Sequence, residues 1–185
     1  MKNSFIDLQE TISTCLSDNK FITSLELSSE LIKKTVEKRG KILIAGNGGS
    51  ASEAQHFSGE LIGRFKLERS GYPAIALTSD MASVTAIAND YGFEYIFSRQ
   101  VEALGERDDL LITLSTSGNS KNCLNAIATA KKIGMNAISL LGKNGGEMKG
   151  ISDIDMIVPS NDTARIQEIH LHIIHIWCEH VEASI

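Results

Sequence analysis

The chain has 185 residues, of which 42% are hydrophobic and 22% are charged, and its formal net charge is −5 at pH 7. This length predicts one domain with a single sizeable core, and the composition is typical of globular proteins. A net negative charge is not typical of nucleic-acid-binding proteins, which carry a basic surface patch. No apolar run approaches the roughly 18 residues that a membrane-spanning helix needs. We therefore expect neither nucleic acid nor a membrane as a partner.

The opening residues and the cysteines indicate a cellular compartment. The first ten residues, MKNSFIDLQE, include acidic side chains and no apolar core, so we do not expect a signal peptide. Cys15, Cys123 and Cys178 are few, widely spaced and odd in number, which favours free thiols over a disulfide framework or a cysteine-based zinc site. Both features predict a cytoplasmic protein.

The spacing of apolar residues predicts the elements in chain order. Two helices are predicted over 4–17 and 23–38, and Gly40 is expected to end the second. After them, strand and helix patterns alternate. Strands are predicted near 41–45, 74–78, 110–114, 136–141 and 154–158, and helices near 50–63, 81–89, 93–104, 120–132 and 163–182.

These elements predict an α/β fold. The strands are short and apolar on both faces, as in a parallel sheet covered by helices. Their alternation with helices predicts a three-layer αβα sandwich, flavodoxin-like, with a central parallel five-stranded sheet. The helices within 1–38 fall outside the alternation, and we expect them to pack on the sheet or to form an oligomer interface. No linker is visible, so 1–185 is predicted to be one domain whose αβα core is 39–185.

A glycine-rich loop, GNGGS at 46–50, follows the first predicted strand and opens a helix. Its backbone N–H groups and the helix dipole suit an anion. Gly46, Gly48 and Ala51 also satisfy the loose dinucleotide pattern G-x-G-x-x-G/A. That pattern requires an acidic residue about 20 positions on, whereas the nearest candidate, Asp80, lies about 30 positions beyond the loop. Dinucleotide binding and a plain turn without a ligand stay as alternatives.

A second loop, STSGNS at 115–120, follows the third predicted strand. Ser120 could serve only as the N-cap of the next helix. Four hydroxyls within six positions exceed what a cap needs, and they suit a dianionic phosphate. Two such loops in one small domain predict a phosphorylated ligand at the carboxyl edge of the parallel sheet.

Polar residues on two predicted helices could converge on one site. His56 and Glu60 stand at i, i+4, and therefore share a helix face. On the C-terminal helix, Gln167 and His175 are about 80° apart, but His170 lies about 60° from Gln167 on the other side. Spacing alone does not choose between the histidines. A satisfied helix surface or an interface is the interpretation kept for His170, His172 and His180.

Four separated motifs, in this order, resemble a known family. They are AGNGGSASEAQHFSGEL at 45–61, AIANDYGFEYIFSRQVEALG at 86–105, LSTSGNSKN at 114–122 and RIQEIHLHIIHI at 165–176. A strand followed by STSGNS and a helix is the signature of the sugar isomerase (SIS) domain. The four motifs together resemble the phosphoheptose isomerase family within it, and the resemblance covers nearly the whole chain.

This resemblance implies an aldose–ketose isomerase that converts sedoheptulose 7-phosphate to D-glycero-D-manno-heptose 7-phosphate through an enediol, the first step of bacterial surface heptose biosynthesis. It implies an acid/base pair of Glu60 and His175, and a homotetramer with sites at subunit boundaries. One Zn²⁺ per subunit is implied, with the ligands His56, Glu60, Gln167 and His175. The implied substrate contacts are Asn47, Gly48, Gly49, Ser50, Glu60, Asn89, Asp90, Ser115, Thr116, Ser117, Ser120 and Gln167.

One position departs from the family pattern, and two alternative functions are compatible with the sequence. Ala164 stands where related sequences often carry Asp, three residues before Gln167, and Asp162 is the nearby acidic residue that could replace it. Some proteins of the subfamily are non-enzymatic tetramers that bind the bacterial replication initiator, and other SIS isomerases act on other sugar phosphates. Glu60 and His175 are both present, which favours an enzyme over the first alternative.

Overall fold

The computed structural model describes residues 2–184 and contains a five-stranded, all-parallel sheet. The predicted domain limits, residues 1 and 185, lie outside the described part. The strands are β1 Ile42–Gly46, β2 Ala74–Ala76, β3 Leu110–Ser115, β4 Asn136–Gly142 and β5 Ile154–Val158. The helices are α1 Lys2–Ser17, α2 Asn19–Glu37, α3 Gly49–Ile62, α4 Met81–Asp90, α5 Ser98–Leu104, α6 Lys121–Ile133 and α7 Thr163–Ser184, with 3₁₀ turns at Phe93–Tyr95 and Gly146–Met148.

The strand order, β2-β1-β3-β4-β5, confirms the flavodoxin-like prediction. In such a sheet, ligands bind beyond the carboxyl ends of the strands, where the order reverses. That point lies between β1 and β3, which pair in register up to Gly46 and Leu114. Because the glycine loop follows β1 and the serine loop follows β3, both loops emerge side by side at this point.

Apolar side chains cover both faces of the sheet, as the strand composition predicts. On one face, Phe57 of α3 and Trp177 of α7 are fully buried against the sheet. On the other, Phe97, Val101 of α5 and Ile127 of α6 form a second buried cluster. Within residues 2–184, no helix is long and apolar enough to cross a membrane. The three cysteines are free, as predicted, and all three are buried.

The two N-terminal helices differ in how they pack. In α2, Ile32 and Val36 belong to the main core, and the Trp177 indole N–H donates to Ser28 Oγ at 2.9 Å. The expectation that these helices pack on the sheet is therefore confirmed for α2. Helix α1 is more peripheral, and its Phe5 and Leu16 side chains are exposed.

Two local predictions were wrong. The helix predicted over 93–104 is interrupted, because the chain makes a tighter 3₁₀ turn at Phe93–Tyr95 before α5 begins at Ser98. Gly40 does not end α2. The helix ends at Glu37, and Arg39 takes the left-handed conformation, with φ of 59°. Gly40 serves a close approach instead, since a Cβ there would collide with the Asp108 carbonyl oxygen.

Candidate active site

The glycine loop turns sharply from β1 into α3. Gly48, with φ of 58°, adopts a conformation that side chains rarely allow, and its carbonyl accepts the N–H of Ala51 at 3.1 Å. Gly49 lies directly against the side-chain amide of Gln167, and a Cβ at this position would collide with it. The backbone conformation therefore favours glycine at position 48, and a side chain at position 49 would displace the Gln167 amide. The end of the Gln167 side chain of α7 thus lies over the first turn of α3.

The serine loop forms its own hydroxyl network. Ser115 Oγ and Ser120 Oγ lie 2.8 Å apart, and the N–H of Gly118 donates to Ser115 Oγ at 3.1 Å. Ser120 occupies the N-cap position of α6, but its side chain makes no capping hydrogen bond. The hydroxyl therefore faces the loop. In the first turn of α6 the Cys123 N–H donates to Asn122 Oδ1, which leaves the N–H groups of Lys121 and Asn122 to bind an anion.

One cavity of about 280 Å³ borders both loops, and its lining includes Asn47 and Ser120. Asn89 and Asp90 do not share it. They lie at the end of α4 with exposed side chains, and Asn89 Nδ2 donates to Asp90 Oδ1 at 2.8 Å. Within one subunit, this pair of implied substrate contacts is therefore exposed and does not line the cavity between the loops.

His56, Glu60 and His175 come together from α3 and α7. His56 Nε2 lies 3.0 Å from His175 Nε2 and 3.4 Å from Glu60 Oε1. The ring of Phe65 stacks on His175, with centroids 5.2 Å apart. Burial lowers the pKa of His175, and nearby His56 lowers it further, although the Glu60 carboxylate opposes the shift. His175 is therefore a neutral imidazole at neutral pH, and can accept a proton.

The four residues implied as zinc ligands occupy the same pair of helices. His56 contacts both Glu60 and His175, whereas Gln167 contacts α3 at Gly49, two turns earlier. Among the described residues, no three or more His, Cys, Asp or Glu side chains are grouped as a finished metal site. What the protein supplies is two facing imidazoles, a carboxylate and an amide on neighbouring helix faces.

The structure distinguishes the histidines that spacing left equivalent. His170 is fully buried, with Nε2 3.0 Å from the Leu141 carbonyl oxygen, and burial lowers its pKa to about 4. The surface or interface interpretation is wrong for His170, because this face of α7 packs on β4. His172 is exposed, and His180 Nε2 lies 2.9 Å from Glu30 Oε1 of α2, as expected for an interhelical contact.

Glu53 is a buried carboxyl group that the sequence interpretation missed. Burial raises its pKa to about 7, although a hydrogen bond from Ser50 opposes the shift, and its Oε2 has no hydrogen-bond partner. It lies on the same stripe of α3 as Gly49 and His56. The signal that could have revealed it is this spacing: Glu53 is four residues after Gly49 and three before His56.

A second missed feature fixes the segment that carries Phe65. The Glu182 carboxylate accepts backbone N–H bonds from Phe65, Lys66 and Leu67, and an Arg69 Nε bond at 3.0 Å. Burial opposes ionisation of Glu182, but these bonds hold its pKa at about 2. Arg69 Nη2 also donates to the Glu60 carbonyl oxygen at 2.7 Å. The segment after α3 is thereby tied to α7, with Phe65 over His175.

Two acidic residues considered as ligand contacts serve as helix caps. Asp80 Oδ1 accepts the N–H groups of Ala82 and Ser83 at the start of α4. Asp162 Oδ1 accepts the N–H of Ala164 at 2.8 Å at the start of α7, and the side chain borders a groove beside α1. Asp80 and Asp162 therefore each have a structural role that does not depend on a ligand.

Comparison with known proteins identifies the family of this chain. The SIS domain family matches residues 7–142. Phosphoheptose isomerase of Helicobacter pylori strain ATCC 700392 / 26695 is 53% identical over 182 residues, which are 98% of this chain and 94% of that protein. The corresponding protein of Campylobacter concisus is 50% identical, over 100% of this chain and 96% of its own length.

A solved structure of phosphoheptose isomerase GmhA from Neisseria gonorrhoeae superposes with a TM-score of 0.91 at 37% identity. The match covers 99% of this chain and 97% of that one. A phosphoheptose isomerase from Francisella tularensis superposes equally well, at 38% identity over 98% and 96% of the two chains. This chain therefore belongs to the phosphoheptose isomerase family of SIS-domain proteins.

Proposed function

We propose that this protein interconverts sedoheptulose 7-phosphate and D-glycero-D-manno-heptose 7-phosphate through an enediol. The observation that carries the proposal is the contact of His56 with both Glu60 and His175 on helices that also border the glycine loop. An aldose–ketose isomerisation needs a base and an acid close to C1 and C2 of the sugar. Family membership supplies the substrate class.

The serine loop holds the phosphate end of the substrate. Ser115, Ser117 and Ser120 offer hydroxyl donors, and the adjacent α6 N-terminus adds backbone N–H groups and a favourable dipole. Fixing the phosphate away from the reacting carbons orients C1 and C2 towards the second pair of helices. Such orientation lowers the activation barrier, because the entropy lost in aligning the reacting groups is already lost when the substrate binds.

Glu60 and His175 carry the proton transfers. The depressed pKa of His175 leaves its ring neutral, so it can take a proton from carbon or from a hydroxyl and return it. The Glu60 carboxylate, three-quarters buried, is the second proton carrier. Phe65 stacks on the His175 ring and limits its rotation. Both orders of proton transfer between the two groups are compatible with this arrangement.

The donor set fits Zn²⁺, which we include in the proposal. The Nε2 atoms of His56 and His175 face each other at 3.0 Å, close enough for both to hold one ion. Glu60 and Gln167 would add oxygen ligands of the kind zinc accepts. Because a group bonded to zinc is a weaker base, Glu60 and His175 alternate between holding the ion and carrying a proton. When bound, the ion polarises the substrate carbonyl and stabilises negative charge on the enediol oxygens.

We further propose a homotetramer with active sites at subunit boundaries. The exposed apolar side chains of Phe5 and Leu16 on α1, and of Phe93 beside α4, support it. So does the exposure of Asn89 and Asp90, which the resemblance implies as substrate contacts but which do not line the cavity of their own subunit. Light scattering tests this: a fully active, monodisperse monomer of about 20.1 kDa would refute shared sites.

Truncation of the N-terminal helices is an unsuitable test of the interface. If these helices formed only an interface, deletion of residues 1–38 would dissociate the oligomer and abolish activity. Because Ile32 and Val36 of α2 lie in the main core, this deletion would also expose Trp177 and unfold the chain. Substitution of exposed Phe5 and Leu16 by Lys is therefore the cleaner way to weaken an interface.

The decisive experiment incubates the purified protein with sedoheptulose 7-phosphate and follows aldose formation. We expect catalytic turnover, with slower reaction of other sugar phosphates. Turnover confined to a different sugar phosphate would support the alternative of another SIS isomerase. Absence of turnover with every sugar phosphate would favour the non-enzymatic alternative, a tetramer that binds the replication initiator.

A further inference from the structure

The side-chain amide of Asn122 joins the two ligand loops. Asn47 Nδ2 donates to Asn122 Oδ1 at 2.9 Å, and Asn122 Nδ2 donates to Asn47 Oδ1 at 2.9 Å. Asn47 belongs to the glycine loop after β1, and Asn122 follows the serine loop in the first turn of α6. The pair is a reciprocal amide ring that spans the point where the strand order reverses.

A third bond fixes the orientation of this ring. The backbone N–H of Cys123 donates to Asn122 Oδ1 at 2.9 Å, so this atom must be the amide oxygen. Asn47 must then present its Nδ2 to Asn122 Oδ1 and its Oδ1 to Asn122 Nδ2. One N–H and one oxygen lone pair of Asn47 remain, both in fixed directions. Asn47 is half-buried and lines the cavity between the loops.

The amide pair is not needed to hold the two strands together. β1 and β3 already pair in register through Gly46 and Leu114, and the amides lie beyond the last pair. Asn122 is only 2% exposed, and burial of an amide costs free energy that its hydrogen bonds merely offset. Apolar side chains would pack this position at lower cost, so the polar pair indicates a role towards a ligand.

We propose that Asn122 is a positioning residue of the isomerase: it acts through Asn47, whose amide it holds in the one orientation that receives the hydroxyl groups of the sugar phosphate. The inference rests on the proposed function, since it concerns the same substrate. Without the hydrogen bonds from Asn122, the side-chain amide of Asn47 could rotate by about 180° and exchange the positions of its N–H donor and its oxygen acceptor. The bound sugar would then meet the wrong polar group in part of the molecules.

A double-mutant cycle tests the proposal. We measure kcat/KM for sedoheptulose 7-phosphate with Asn47→Ala, Asn122→Ala and the double variant. Each single substitution is expected to lower kcat/KM by roughly 10-fold or more. If Asn122 acts through Asn47, the double variant falls no further than Asn47→Ala, within about 2-fold. Multiplicative losses would show that the two residues act independently and would overturn the proposal.

A second variant preserves shape if Asn122→Ala does not fold. Asn122→Asp can still accept from Cys123 and Asn47, but its carboxylate cannot donate to Asn47 Oδ1. A protonated carboxyl can donate, so the kcat/KM of this variant relative to the unsubstituted protein should recover as the pH falls. A relative activity independent of pH would contradict the positioning role. Asn136→Ala, an exposed site at the opposite edge of the sheet, is the control that should retain activity.

The outcomes separate the two proposals. If the unsubstituted protein does not turn over sedoheptulose 7-phosphate, the proposed function fails, and this inference fails with it. If the unsubstituted protein is active and Asn122→Ala is folded and fully active, only the positioning role is refuted. Thermal melting of each variant shows whether a lost activity reflects unfolding.

Discussion

The Nε2 atoms of His56 and His175 lie 3.0 Å apart although the residues are separated by 119 positions in sequence. They face each other because α3 and α7 pack side by side on the same face of the sheet, through Phe57 and Trp177. This packing also brings Glu60 beside the two imidazoles. The catalytic proposal therefore depends on a contact between two helices, each fixed by the core.

Replacing His175 by Asn should lower kcat by roughly 100-fold or more, since it removes a general acid/base. The expected cause is chemical, because His175 is half-exposed and the core beneath it is unchanged. Steady-state kinetics with sedoheptulose 7-phosphate measures the loss. His172→Asn, on the exposed side of the same helix, is the matched control, and its kcat should be nearly unchanged. Equal activity of the two variants would remove His175 from the mechanism.

Ser120→Ala should raise KM more than it lowers kcat, because Ser120 is expected to contact the phosphate and not the reacting carbons. A hydrogen bond to a charged group contributes about 1.5–3 kcal/mol, which corresponds to roughly a 10- to 100-fold change in KM. The substitution also leaves Ser115 Oγ without its 2.8 Å partner. Ser70→Ala, at an exposed position, provides the control. An unchanged KM for Ser120→Ala would place the phosphate elsewhere.

Added zinc should raise activity, and a chelator should lower it, if His56 and His175 share an ion. The ligand set has no thiolate, so binding should be weaker and more exchangeable than in a four-cysteine site. Metal analysis of His56→Gln should show less bound zinc than His172→Asn under the same conditions. Active protein that contains no divalent ion and does not respond to zinc would count against the metal, but not against the acid/base assignment.

Glu182 should make the protein sensitive to acid. Its pKa is about 2 in the folded state against an ordinary value of 4.5, so its stabilisation is full above pH 4.5 and is lost as the pH falls towards 2. The shift corresponds to roughly 3 kcal/mol in the free energy of unfolding. Urea unfolding should show Glu182→Gln less stable than the unsubstituted protein at pH 7, with a smaller difference at pH 3.

The comparison of the two proteins at each pH also removes other contributions. Buried His170, with a pKa of about 4 in the folded state, loses its stabilisation as the pH falls from 6.5 to 4. This loss occurs in both proteins and cancels in the difference. If the stability difference between Glu182→Gln and the unsubstituted protein is the same at pH 7 and pH 3, the low pKa of Glu182 is wrong.

The sequence predicts the sheet and both loops because their signals are local. Apolar runs mark all five strands, and the small residues at 46–50 and 115–120 mark the turns that follow two of them. The end of α2 was misplaced by the assumption that glycine takes the left-handed position, which Arg39 takes instead. Position 40 is glycine for a different reason: a side chain there would collide with the Asp108 carbonyl oxygen.

The site was only partly predictable because its geometry depends on packing. Helical spacing could not distinguish His170 from His175, and only the rotation of α7 on the sheet directs the first at Leu141 and the second at His56. The Asn47–Asn122 pair joins positions 75 residues apart. Nothing in the spacing of either loop reveals that contact, since it depends on the order of β1 and β3.

The most direct test of the account is the kcat of Glu60→Gln with sedoheptulose 7-phosphate, measured beside the unsubstituted protein. Glutamine keeps the size of the side chain and removes the carboxylate, and Glu60 contributes its backbone carbonyl to Arg69 in either form. We expect a folded protein whose kcat falls by roughly 100-fold or more. Near-normal turnover by folded Glu60→Gln would contradict the proposed proton transfer.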